Sequence, residues 1–429
     1  MARLATPAPD ESGPAVRVGA SSADGSHATG GLGDPITVFS PVVEDAAIAA
    51  VHEVLRSGWP GPGPAVERFE ESFARYVGAP HAVAVSSCTA ALHLALLLLE
   101  VGPGDEVITT PITFVGANEV ILMVGATPVF ADVDPSTGLL DPASVAERVT
   151  PRTRAMMVTH LSGTAADLDA LYALADRRSI ALVEDAAHAC GSTYRGVRIG
   201  GHPGMQAFSF QATKNLSAVD GGMLCLRSAE LAARARRLRW MGISDDTWTR
   251  GRHGVYRWAY RVDEPGYRYT MSDLNAALGL SHLDTLEVAN ERRRSIARRY
   301  RQGLRGLPGV AIPPADPDSC SATYISPVLV DGRDELCSWL AAHDIGSSVH
   351  FRRNDAHELF GPPADLPGAE RYWRRAITLP LHLRLTDHDV ERVVDAVRAF
   401  VCRPAGRREH QGARVAGLGE RSSASPTST

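Results

Sequence analysis

The chain has no uncharged apolar run of the roughly 18 to 20 residues that a membrane helix requires. Nor is Met1-Ala2-Arg3-Leu4 followed by the apolar stretch of a signal peptide. A protein of the cytoplasm, without a membrane partner, is therefore expected. Six cysteines (Cys88, Cys190, Cys225, Cys320, Cys337, Cys402) show neither CxxC nor metal-finger spacing, which argues against a disulfide framework or a metal site and for reduced thiols. Internal repeats and a nucleotide P-loop are missing too. There is no basic surplus either: the formal net charge is −5, whereas nucleic acid generally demands a basic face. Arg-rich stretches such as Glu291-Arg292-Arg293-Arg294 and Arg234-Ala235-Arg236-Arg237 read as solvated helix faces.

What is present is an ordinary globular composition, 44% hydrophobic and 22% charged. At 429 residues, two domains plus tails are implied. Residues 1–34 are rich in Gly, Ser, Ala and Pro, and 404–429 resemble them with added Arg; both are expected to be disordered. A large domain is expected over 35–270, and linking helices with a smaller α+β domain over 271–403. Val66, Phe69 and Phe73 share one face of an amphipathic helix leading into the large domain. Short apolar runs at 82–85, 106–109, 127–131, 154–159, 180–184, 207–210 and 223–226 read as buried strands alternating with helices or loops. That alternation predicts an α/β fold, a mainly parallel sheet with helices on both faces. An irregular segment is expected at 245–269 and a helix at 272–286. The small domain should hold strands at 323–330 and 347–351 and helices at 334–343 and 387–400.

One constellation carries chemistry. Lys214 lies in Phe208-Ser209-Phe210-Gln211-Ala212-Thr213-Lys214-Asn215, downstream of the strand Ala181-Leu182-Val183-Glu184-Asp185. A lysine amine condenses with the aldehyde of pyridoxal 5'-phosphate (PLP), and an aspartate keeps the pyridine nitrogen protonated so that the ring accepts electrons. Either residue alone reads more simply as a loop charge or a strand-end cap. The pair gains weight from Ser86-Ser87-Cys88-Thr89-Ala90, which joins an apolar strand to an apolar helix, because hydroxyls and free N–H groups at a helix start suit a phosphate. Ligands in such sheets bind beyond the carboxyl ends of the strands, where Asp185, Ser209 and Ser87 all fall.

An ordered series of motifs then resembles the DegT/StrS family of PLP-dependent nucleotide-sugar aminotransferases, of fold type I. It comprises 56–64, Ser86 to Leu92, Thr113-Phe114-Val115, 128–134, Val183-Glu184-Asp185-Ala186-Ala187-His188, Phe208 to Asn215 with Gly221-Gly222, and Gly266-Tyr267-Arg268-Tyr269-Thr270-Met271-Ser272-Asp273. The resemblance implies Lys214 as nucleophile and proton shuttle, Asp185 at the pyridine nitrogen, His188 beside the ring oxygen and Phe114 stacked on the ring. Ser87, Cys88, Thr89 and Ser209 are implied as the phosphate site, and Arg268 as reaching the neighbouring subunit's phosphate. His350, Phe351, Arg352 and His382 match stretches near the sugar nucleotide. The implied assembly is a homodimer with shared active sites, and 258–268 is its candidate crossing arm.

The implied reaction moves an amino group from glutamate or glutamine to a nucleotide-activated keto sugar, here best matched to the 4-keto branch, for a glycosylated natural product or surface polysaccharide. A 3-keto sugar or a cyclitol ketone is the alternative acceptor. A PLP-dependent sugar dehydratase carries His in place of the lysine, against Lys214, and a PLP-binding regulator is the non-enzyme alternative. The chain departs from the family at His160 to Asp167, where members carry Gln-Pro after the glycine, and that loop shapes the donor and sugar pocket.

Overall fold

The computed structural model describes residues 34–244, 248, 251 and 260–403. The two tails expected to be disordered, apart from Asp34 at the end of the first, lie outside the described residues, as does the beginning of the candidate arm at 258–259.

Two helices, α1 (Asp45–Arg56) and α2 (Pro64–Val77), precede the main sheet. There follow β1 (His81–Val85), α3 (Cys88–Leu98), β2 (Glu106–Thr109), α4 (Val115–Met123), β3 (Thr127–Phe130), α5 (Pro142–Arg148), β4 (Thr153–Thr159), α6 (Leu168–Arg178) and β5 (Ala181–Asp185). A small hairpin, β6 (Thr193–Tyr194) and β7 (Val197–Arg198), leads to β8 (Met205–Ser209), β9 (Gly222–Leu226) and α7 (Ala229–Leu238). The rest of the described chain runs α8 (Asp273–Leu304), β10 (Val310–Ala311), β11 (Ser319–Cys320), β12 (Ser326–Val330), α9 (Arg333–Ala341), α10 (Pro367–Arg375), β13 (Ala376–Leu379) and α11 (Asp387–Val401).

The main sheet has the order β1-β9-β8-β5-β4-β2-β3, and only β9 runs against its neighbours. Its strands are apolar on both sides because both faces are covered. Leu182 faces a core with Phe69, Phe73, Phe208 and Phe210; the next residue, Val183, faces the opposite core with Leu92, Leu94 and Leu224. That alternation is the period of two in a strand. Three strands, β10-β12-β13, make a smaller antiparallel sheet.

The long α8 extends to Leu304 instead of stopping near 286. Its charged second half is held by exposed pairs such as Arg294 with Glu291 (2.9 Å), while Ile296, Tyr300 and Leu304 keep one face buried at four-residue spacing. The strand expected at 347–351 is not formed; Ser348 makes a single bridge to Thr378. The edge next to β12 is instead β13, whose four residues between Arg375 and Pro380 are too brief a run to show strand periodicity. Among the described residues no helix is long and apolar enough to cross a membrane.

Candidate active site

Asp185 ends β5, the middle strand of the sheet, and is buried. Its Oδ1 accepts the Ala187 N–H (3.1 Å) and lies 3.7 Å from Cys88 Sγ; Oδ2 lies 3.4 Å from Thr113 Oγ1 and 3.5 Å from Thr159 Oγ1. Burial pushes the carboxyl above its ordinary range, opposed by the Ala187 N–H and the charge of Lys214. No cation pairs with it within 4 Å among the described residues. A cationic ring N–H is what such a carboxylate lacks, so the residues present fit PLP.

Ser87 caps α3: its Oγ accepts the Ala90 N–H at 3.1 Å, leaving the Cys88 and Thr89 N–H groups in the first turn without intrahelical acceptors. The Cys88 side chain turns to Asp185 and to the Ala207 carbonyl (3.4 Å), and burial holds its thiol protonated. Ser209 ends β8 and is paired with Gly222 on β9. A Cβ on Gly222 would meet Ser87 C and O at 2.4 Å, so only glycine lets β9 lie against the start of α3. Gly116 works likewise: a Cβ there would stand 3.0 Å from Thr89 Oγ1 and 3.1 Å from the Phe114 ring. Phe114 itself is 59% exposed, a flat apolar ring with an uncovered face. Asp185, Ser87, Thr89, Ser209 and Phe114 are thus linked by contacts at the carboxyl ends of β5 and β8 and the start of α3.

Lys214 sets its Nζ 4.1 Å from the centroid of the Tyr324 ring, and its charge acts on Asp185 and His188. It is also the only lysine in the chain; the remaining basic charge is arginine. The motif reading passed over that signal, which leaves a single ε-amine for the cofactor aldehyde. Tyr324 was missed as well. Its ring packs 4.4 Å from His188 and stacks on Phe39 at 5.6 Å, and its hydroxyl meets Thr213 Oγ1 at 2.9 Å. A lone tyrosine in a loop carries no periodic signal, and Thr323, at φ 55°, turns the chain where a strand was expected to begin; β12 starts only at Ser326.

His188 is stacked on Phe351 at 5.8 Å, and its Nδ1 accepts the Ser162 N–H at 3.3 Å. Burial, then Lys214 and His350, hold it well below the usual imidazole range. The ring is neutral, with its proton on Nε2. His350 meets Thr378 Oγ1 through Nδ1 at 2.9 Å, and Phe351 lies 6.5 Å from Phe114. Arg352 is exposed on the same segment. His382 is placed apart from Asp185: its Nε2 donates to the Thr37 carbonyl at 3.1 Å, and it lines, with Lys214, a cavity of about 300 Å³ beside α8. Arg268 stacks over Trp240 at 4.0 Å; the neighbouring Tyr269 carbonyl accepts the Ser86 N–H at 2.8 Å, which sets the stretch beside the start of α3. The loop departing from the family pattern packs on this site, since a Cβ on Gly163 would meet the His188 carbonyl at 2.8 Å.

Residues 41–398 match the DegT/DnrJ/EryC1/StrS aminotransferase family. The chain is 43% identical over 374 residues to the spore coat polysaccharide biosynthesis protein SpsC of Bacillus subtilis, covering 84% of this chain and 96% of that protein. It resembles the crystal structure of the aminotransferase TlmJ from Streptoalloteichus hindustanus with a TM-score of 0.80 and 40% identity, over 85% of this chain and 98% of the other. The PMP-form of the putative sugar aminotransferase Spr1654 from Streptococcus pneumoniae also superposes with a TM-score of 0.80, at 30% identity, over 85% of this chain and 98% of that one. Fold and comparisons together define a PLP-dependent aminotransferase that acts on sugars. The chain belongs to the DegT/DnrJ/EryC1/StrS aminotransferase family.

Proposed function

We propose that the enzyme moves the amino group of glutamate or glutamine to C4 of a nucleotide-activated 4-keto-6-deoxyhexose, with dTDP as the nucleotide. The observation that supports the site assignment is the single lysine, Lys214, whose charge acts on the buried carboxylate of Asp185. Bound PLP supplies an aldehyde that takes up the donor's nitrogen and a ring that holds the electron pair released at the substrate carbon. Asp185 is assigned to keep the ring nitrogen protonated, and its burial makes that contact worth more than it would be in water. The Lys214 amine is the nucleophile toward the aldehyde and, once released, carries the proton between substrate and cofactor carbons. His188 offers its Nε2–H to the ring oxygen, and Phe114 covers one ring face. Ser87, Ser209 and the N–H groups of Cys88 and Thr89 take the phosphate at the positive end of α3, with Arg268 added from the neighbouring subunit of a homodimer.

His350, Phe351, Arg352 and His382 are assigned to the sugar nucleotide. The nucleotide supplies most of the binding energy, because a deoxysugar offers few groups to hold. Free deoxysugar therefore reacts poorly. The alternative acceptor is a 3-keto sugar or a cyclitol ketone, since the loop from His160 to Asp167 departs from the family pattern. The test incubates the pyridoxamine form with a panel of keto sugar nucleotides, follows the return of the aldehyde absorbance, and locates the new nitrogen by NMR. Amination of dTDP-4-keto-6-deoxyhexose at C4 is expected; nitrogen at C3, or preferential turnover of an unactivated inosose, contradicts the choice. We retain 35–270 and 271–403 as the large and small domains on the same reading.

A further inference from the structure

The cavity of about 300 Å³ beside α8 reaches from Lys214 and Tyr324 to Arg293 and His382. Arg293 is only 9% exposed, and among the described residues its one hydrogen bond is from Nη1 to Asn290 Oδ1 at 3.3 Å. Its neighbours on α8 are spoken for: Arg292 pairs with Asp387 (2.9 Å) and Arg294 with Glu291 (2.9 Å). No carboxylate pairs with Arg293 among the described residues, and the groups that act on its charge are Cys190 and Tyr324. Burial pulls the guanidinium down to about 10, which still leaves it charged at neutral pH. A buried cation without a counter-charge is costly unless a ligand supplies one.

The same cavity wall carries the opposite deficiency. Asn215 Nδ2 donates to Asn290 Oδ1 (2.8 Å) and to the Ala322 carbonyl (2.7 Å), which fixes the amide's orientation and leaves Asn215 Oδ1 buried without a donor. Asn290 in turn anchors itself on the Cys190 carbonyl at 3.0 Å. A chain of contacts therefore runs from Asn215, next to Lys214, through Asn290 to Arg293. It sets one guanidinium lacking an anion in the wall of the cavity that Lys214 also lines. A small molecule with one carboxylate complements that guanidinium.

We propose that this cavity is the amino-donor subsite, with Arg293 binding the donor's carboxylate while its nitrogen faces Lys214. The assignment rests on the amino-transfer reading above and deepens it. A single uncompensated guanidinium suits one carboxylate better than a diphosphate, and Glu44 in the lining disfavours a more highly charged anion. The two half-reactions separate the possibilities. With PLP-loaded enzyme and glutamate alone, Arg293→Gln is expected to raise the half-saturating glutamate concentration roughly 10- to 100-fold, the loss of one charge-assisted contact. The second half-reaction, from the pyridoxamine form with keto sugar nucleotide, keeps its concentration dependence.

Calorimetry supplies a readout besides turnover. Glutarate, a dicarboxylate without an amine, should bind the wild-type holoenzyme competitively with glutamate, lose affinity in Arg293→Gln and recover part of it in Arg293→Lys. Should Arg293→Gln not fold, the lysine variant and the competition on wild type decide the matter. Unchanged glutamate dependence, equal loss in both half-reactions, a shift confined to the keto sugar, or non-competitive glutarate overturns the subsite. A wild-type enzyme whose aldehyde absorbance no amino acid discharges contradicts instead the amino-transfer reading itself.

Discussion

At the scale of single residues, the account depends on how burial changes the protonation of a few groups. Asp185→Asn keeps the shape of its site and removes the charge that burial makes costly, so the variant should fold as stably as wild type or slightly more so. Its turnover should fall at least roughly 10²-fold, because a neutral amide cannot hold the ring nitrogen protonated. Steady-state kinetics alongside a denaturant titration check this, and near-normal turnover contradicts the role. His350 gives a prediction about pH. Burial first, and Lys214 second, push its imidazole from the ordinary 6.5 down to about 4. The unfolded chain then takes up a proton that the folded chain refuses, so stability is complete above about 6.5 and falls as pH drops through that window. The full effect is at most about 3 kcal/mol. Unfolding of the apoprotein at several pH values should show a shallower loss between 6.5 and 4 for His350→Asn than for wild type; parallel curves contradict the assignment of that burial.

Elements hold these residues in place by close approach. In Gly222→Ala the new Cβ meets the backbone of Ser87 and Cys88, so β9 and the start of α3 must move apart. A loss of roughly 1–3 kcal/mol is expected, with weaker PLP binding, read from a denaturant midpoint and a PLP titration; wild-type affinity with wild-type stability contradicts it. The same strand ends explain why the site was legible in the sequence. Asp185, Ser209 and Ser87 each follow a short apolar run, and in a parallel sheet the position after such a run is where ligands meet the protein. Tyr324 and Phe39 had no such marker, since tertiary packing alone brings Tyr324 to Lys214 and His188 and Phe39 onto Tyr324. The edge strand β13 was too short to show its period, and 347–351, with two serines and a histidine held by side-chain contacts, satisfied the pattern of a strand without forming one.

For the whole molecule, the alternation of apolar runs and helices made the covered, mainly parallel sheet legible, while the extent of α8 was hidden by its charged second half. A dimer remains our proposal: sedimentation of the holoenzyme should give twice the chain mass, and a fully active monomer contradicts shared sites. The central claim, that Lys214 carries the cofactor, has an unusually clean test because the chain has no other lysine. Borohydride reduction of the holoenzyme, followed by proteolysis and mass mapping, should fix one pyridoxyl group per chain on the peptide containing Phe210 to Asn215, and none in Lys214→Ala. A reduced chain that stays unlabelled, or one labelled only at its N-terminal amine, contradicts the account.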